Sequence, residues 1–84
     1  EAREMLTWVK SVMDGISDQQ WTAQGIEGVI KGAITQKGVA NGQVLWPLRV
    51  ALSGRKDSPP PFDIAAALGK PETLRRIDQA IASC

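Results

Sequence analysis

The chain has 84 residues and a mass of 9.0 kDa, the length of one domain with a modest core. It contains no His and a single Cys, Cys84. This excludes an intrachain disulfide, a zinc or iron–sulfur centre of His and Cys ligands, and any Ser–His–Asp or Cys–His catalytic set. Apolar residues make up 43% and charged residues 23%, a globular balance that argues against a wholly disordered chain, and no apolar run reaches the ~20 residues of a membrane span.

Nothing at the N-terminus reads as a signal peptide, and the lack of disulfides fits the cytoplasm. The first residue is Glu1 rather than Met, which is expected of a piece of a longer protein. A net charge of +1 does not announce a strong polyanion binder. Residues 1–41 hold four basic and five acidic side chains, and residues 42–84 hold six and four. Residues 42–56 carry Arg49, Arg55 and Lys56 with no acid, a small basic face.

The periodicity predicts five helices, no strand and a compact all-α bundle joined by short connections. The first helix spans about 2–14, with Met5, Leu6, Val9, Val12 and Met13 in one apolar stripe and Asp14-Gly15 ending it. Ser17 is the expected N-cap of the second, with Gln20 completing a capping box. Trp21, Gly25, Ile26, Val29, Ile30, Ala33 and Ile34 form its inner face, and Gly38 its C-terminal stop. Each interior glycine costs roughly 0.5–1 kcal/mol relative to Ala. Gly25, Gly28 and Gly32 are therefore expected at a close helix–helix approach or a local irregularity.

Asn41-Gly42 reads as a turn, and the third helix as about 43–53, with Pro47 near its first turn and Gly54 at its end. Val44, Leu45, Leu48, Ala51 and Leu52 are its expected core face. The main loop is residues 55–61, in which Pro59, Pro60 and Pro61 favour an extended polyproline path. A fourth helix over about 62–68 precedes Gly69. A fifth over about 71–82 turns Leu74, Ile77 and Ile81 inward and Arg75, Arg76, Asp78 and Gln79 outward.

Catalysis lacks parts. The nine carboxylates are scattered, with Asp57 reading as a turn residue and Asp63 as a helix N-terminal residue. The glycines at 25, 28 and 32 lack the Gly-Lys-Ser/Thr ending of a phosphate loop. Binding is better supported. Arg49 lies mid-helix among apolar neighbours, and its rigid five-donor fork suits a base edge or a phosphate. A solvated or carboxylate-paired Arg49 is the plainer alternative. The proline loop is stiff enough to meet unstacked bases at little ordering cost, or serves as a mere connector. Trp8, Trp21 and Trp46 read first as core or interface residues.

Three segments carry a resemblance: Leu45-Trp46-Pro47-Leu48-Arg49-Val50-Ala51-Leu52-Ser53-Gly54, then Ser58-Pro59-Pro60-Pro61-Phe62, then Leu68-Gly69-Lys70 with Leu74-Arg75-Arg76-Ile77. In order and spacing they resemble the C-terminal anticodon-binding domain of bacterial glutamyl-tRNA synthetases, class I aminoacyl-tRNA synthetases, closely over residues 42–82. The resemblance implies residues 1–84 as a single helical module that binds the anticodon loop of tRNA-Glu. It would act as a monomer, without DNA or membrane partners.

It would not be an enzyme alone, since the family's His-Ile-Gly-His and Lys-Met-Ser-Lys-Ser motifs are missing. ATP and Mg2+ are implied only for a catalytic domain outside this sequence, and no cofactor for this domain. Carried over by position, the anticodon-binding residues are Arg49, Ser58, Pro59, Pro60 and Pro61. Pro60 and Pro61 replace the family's Gly and Leu. Arg55 and Lys56 are candidate phosphate contacts from charge and position alone. The competing expectation is a protein-interaction helical domain with an exposed proline loop. A helix-turn-helix DNA binder ranks last, because the third helix offers only Arg49 for base reading.

Overall fold

In the computed structural model, residues 2–54 and 59–83 are described. The chain runs through α1 (Ala2–Asp14), a 3-10 turn (Asp18–Gln20), α2 (Ala23–Lys37), α3 (Asn41–Ser53), α4 (Pro61–Leu68) and α5 (Lys70–Ser83). Among the described residues there is no strand, so the five-helix all-α expectation holds. None of these helices is long and apolar enough to cross a membrane.

Each helix turns a narrow apolar stripe inward. α1 buries Leu6, Val9 and Met13, α2 buries Ile26, Ile30 and Ile34, and α3 buries Val44, Leu48 and Leu52. The i, i+3/i+4 spacing of each set is the reason these segments are helical and face one another. Phe62 and Ala65 of α4 and Ile77 of α5 close the same core. α1, α3 and α5 pack on one another, and α4 lies against α2, α3 and α5.

Two helix starts differ from the sequence reading. Ser17 does accept a hydrogen bond from the Gln20 N–H, but it caps only the 3-10 turn. α2 begins later, where Thr22 Oγ1 accepts from the Gly25 N–H at 3.0 Å. α3 begins earlier, at Asn41, because Gln43 Oε1 reaches back to the Ala40 N–H at 2.9 Å. That shift places Pro47 in the helix interior rather than its first turn. The Gln43 carbonyl thereby loses its i+4 donor, and its exposed position leaves it to water.

The glycine expectation divides. A Cβ on Gly25 would lie 2.2 Å from the Gln20 carbonyl oxygen, so this glycine permits a close approach, to the 3-10 turn and not to another helix. Gly28 and Gly32 are exposed with open space around them, so the expected close approach is absent there. Val29 likewise turns partly outward, at 37% exposure.

Long-range polar clamps lock the bundle. Lys70 donates to the carbonyls of Asp14 (2.8 Å) and Ile16 (2.7 Å), satisfying acceptors at and just beyond the end of α1. Arg76 Nη1 donates to the Leu52 carbonyl in the last turn of α3 at 2.8 Å. Arg76 is thus half-buried between helices, a correction to its expected place on the outer face of α5. Trp21 Nε1 donates to the Ala65 carbonyl at 2.9 Å, tying the start of α2 to α4, and buried Thr73 donates to the same oxygen at 3.3 Å.

Candidate functional site

α3 decides what the molecule can present. Its buried stripe fixes the rotation of the helix, and Arg49, next to Leu48, falls on the flank of that stripe rather than within it. The helix stops where Gly54 takes a left-handed conformation (φ 72°) and donates to the Val50 carbonyl at 2.8 Å. Only a residue without Cβ takes this conformation cheaply, so the chain leaves α3 here, one turn beyond Arg49.

Arg49 is half-buried, and its guanidinium forms no hydrogen bond or ion pair with any described residue. Its Nε is shielded from solvent and unpaired. The contrast with the other inward-leaning basic side chains is sharp. Lys70 and Arg76 end on backbone carbonyls, while Lys10 pairs with Asp78 at 2.6 Å. A shielded donor left unpaired costs ~1–3 kcal/mol. A ligand acceptor would recover that, so this position is chemically disposed to bind an anionic or carbonyl-bearing group.

The sequence supplies the reason Arg49 stays unpaired. Its i±3 and i±4 neighbours on α3 are Leu45, Trp46, Leu52 and Ser53, none of them an acid. The Ser53 hydroxyl donates instead to the Arg49 carbonyl at 2.8 Å.

The proline segment divides at Pro61. Pro59 and Pro60 are exposed. Pro60 is the N-cap of α4, and its carbonyl accepts from Asp63 (3.1 Å) and Ile64 (3.3 Å). Pro61 is the first residue of α4, where a missing N–H is harmless, and it is buried. It presents no open face in this structure and acts as an anchor for the helix. Ser58, Arg55 and Lys56 lie outside the described residues, as does Asp57. Among the expected site residues the structure therefore places Arg49, Pro59, Pro60 and Pro61.

The remaining chemistry is sparse. Lys37 lies 5.1 Å from the Trp8 ring centroid and Lys31 lies 5.9 Å from that of Phe62, ordinary cation–π contacts between packed helices. The Glu72 carboxylate is held down to about 2 by hydrogen bonds from Arg75 and Arg76, a structural ion triad on α5. The side chains that periodicity did not flag are Lys70 and Arg76, whose partners lie on other helices.

A family model described as "Anticodon binding domain" matches residues 1–81. Similar curated proteins include a glutamate–tRNA ligase of Methylobacterium radiotolerans, 44% identical over 95% of this chain and 17% of its own length. Another is the glutamate–tRNA ligase of Clostridium acetobutylicum, 48% identical over 79% of this chain and 13% of its own length. The chain thus spans about one sixth or less of the curated relatives it matches. Among solved structures, a glutamate tRNA ligase from Elizabethkingia meningosepticum in complex with its amino acid superimposes with a TM-score of 0.86. It is 27% identical, over 96% of this chain and 16% of that one.

Proposed function

The chain belongs to the anticodon binding domain family, and from that premise we propose that it is the part of a glutamate–tRNA ligase that holds the anticodon loop of tRNA-Glu. Activation of glutamate with ATP and Mg2+ is the work of the rest of such an enzyme, in the cytoplasm. The observation that carries the reading is the guanidinium of Arg49, shielded at Nε, without a partner among the described residues and set on a rigid helix. Its fork matches a pyrimidine base carbonyl, alone or beside a phosphate oxygen. Pro59 and Pro60 offer exposed, preorganised ring faces one short segment further along. In this reading Ser58 contributes a polar contact beside them and Arg55 and Lys56 contact phosphates.

The near-neutral net charge fits this assignment. A module tethered beside other tRNA-binding surfaces needs little affinity of its own, because tethering raises its effective concentration. Base reading rather than backbone attraction is then its contribution.

The test is an NMR titration of the labelled chain with a tRNA-Glu anticodon stem-loop, against one with a scrambled anticodon. Shifts should cluster at Arg49 and residues 55–60 and be larger for the cognate loop. Arg49→Ala should weaken cognate binding by about 1–3 kcal/mol without moving the thermal midpoint downward. Equal affinity of wild type and Arg49→Ala would refute the role of Arg49. Binding of a protein ligand at Pro59–Pro60 with no response to RNA would favour an interaction module instead.

A further inference from the structure

α3 presents more than Arg49. With Val44, Leu48 and Leu52 buried, the opposite side of the helix faces outward and carries Trp46 at 50% and Val50 at 41% exposure. Indole is a large apolar surface, and leaving half of it in water forgoes the burial that the core side chains obtain. Trp46 precedes Arg49 by three residues, so the two emerge on one side of the helix, one turn apart. Trp46 and Val50 also border a groove of about 510 Å3 walled by Pro47, Leu6, Arg76 and Ala80. That is within the ~300–1,000 Å3 range of small-ligand sites. None of the described residues that line the groove is a carboxylate, and α3 itself has none.

We propose that Trp46 is a stacking platform for one unpaired nucleobase of the RNA loop held at Arg49, with the groove beside it receiving the base. The inference rests on the reading of the chain as an anticodon-loop module and adds a contact to it. An unstacked base brings a flat apolar face and a polar edge on an anionic backbone. The ring of Trp46 suits the face, the Val50 and Pro47 walls shield it, and an α3 without acids, carrying Arg49 with no partner among the described residues, suits the charge. A helix-borne indole is already positioned, so little ordering accompanies binding.

The experiment is equilibrium binding of the cognate stem-loop to the whole chain, its Trp46→Ala and Trp46→Phe variants, and Arg49→Ala. The Trp46 indole resonance of the wild type is followed in parallel. Trp46→Ala should weaken binding about five- to 150-fold, the equivalent of roughly 1–3 kcal/mol for one stacked base. Trp46→Phe should retain most of the affinity, because it keeps a ring face. The indole signal should move upfield on saturation. Trp46 is half in solvent, so both variants should fold, checked by their circular dichroism.

Wild-type binding that is unchanged in Trp46→Ala overturns this inference and leaves the anticodon reading intact. A wild-type chain that binds neither cognate nor scrambled loop overturns both. Self-association of the chain that Trp46→Ala abolishes, with RNA affinity untouched, assigns the face to a second copy and overturns it as well.

Discussion

The same substitution, Gly to Ala, should change sign within one helix. α2 carries Gly25, Gly28 and Gly32. Gly28 and Gly32 are exposed, and an added Cβ would meet nothing within 4 Å. Alanine there only restricts the unfolded chain and raises helix propensity, so each should stabilise by about 0.5–1 kcal/mol. At Gly25 the new Cβ would lie 2.2 Å from the Gln20 carbonyl oxygen and 3.1 Å from Thr22 Oγ1. Ordinary contact begins about 1.2 Å further out than the first of these distances. The Gln20 carbonyl cannot yield freely, because it accepts from the Thr22 N–H at 2.8 Å. Thr22 is itself the cap of α2, and Trp21 between them is pinned to Ala65. Overpacking of this kind costs ~1–3 kcal/mol, which exceeds the propensity gain. Gly25→Ala should therefore destabilise by about 1–2 kcal/mol, lowering the thermal midpoint by roughly 4–16 °C for a domain of this size. Urea unfolding of the three single variants gives the comparison directly. If Gly25→Ala proved as stabilising as Gly28→Ala, the approach of the 3-10 turn to α2 would be wrong as described.

Two further outcomes follow from the polar clamps. Lys70→Met removes two charge-assisted bonds to the Asp14 and Ile16 carbonyls while keeping the aliphatic stem, and should cost about 1–3 kcal/mol in urea unfolding. Glu72 is held from its ordinary value near 4.5 to about 2 by the Arg75 and then the Arg76 hydrogen bonds. Its folded-state value is depressed, so its contribution is complete above about 4.5 and lost as pH falls toward 2. Thermal midpoints of wild type and Glu72→Gln measured from pH 6 to 2 should converge across that window, and parallel curves would contradict the triad.

The helices were legible because each needs a buried stripe, and a stripe at 3.6-residue spacing is a local signal. Leu6, Val9 and Met13 or Val44, Leu48 and Leu52 announce themselves without knowledge of their neighbours. The helix starts were not equally legible, because caps compete. Ser17 and Thr22 both precede helical sequence, and only packing decides that Ser17 serves a single 3-10 turn. Gln43 extended α3 by a side-chain bond to Ala40 that no hydrophobic pattern encodes. Least legible were the clamps. Lys70 meets carbonyls 54 and 56 residues away, and Arg76 one 24 residues away. From periodicity alone Arg76 belongs to the wet face of α5. At the site, Arg49 stood out as a cation in an apolar helix, whereas the burial of Pro61 depends on how α4 docks and could not be read from three identical prolines.

Arg49 and Arg76 make the division of labour concrete. Both carry the same fork and both are half-buried. Arg76 has Glu72 one turn before it on the same helix and the open end of α3 in reach, so its Nε and Nη1 are both satisfied within the fold. Arg49 lies on a helix without acids, and the fold gives it no internal partner among the described residues. Its retention therefore weakens the free domain slightly, by the cost of a shielded unpaired donor, and is repaid only when something else supplies the acceptor. The motif in which it stands thus has two kinds of member. Gly54, Gly69, Lys70 and Arg76 fix helix ends and helix contacts, and altering them moves stability first. Arg49 makes no polar contact that holds another described residue in place, so removing it should leave the free protein's stability unlowered while weakening the bound state. A variant that lost RNA affinity with an unchanged or raised thermal midpoint would carry the signature of a ligand-facing side chain, which no fold-holding residue of this bundle can reproduce.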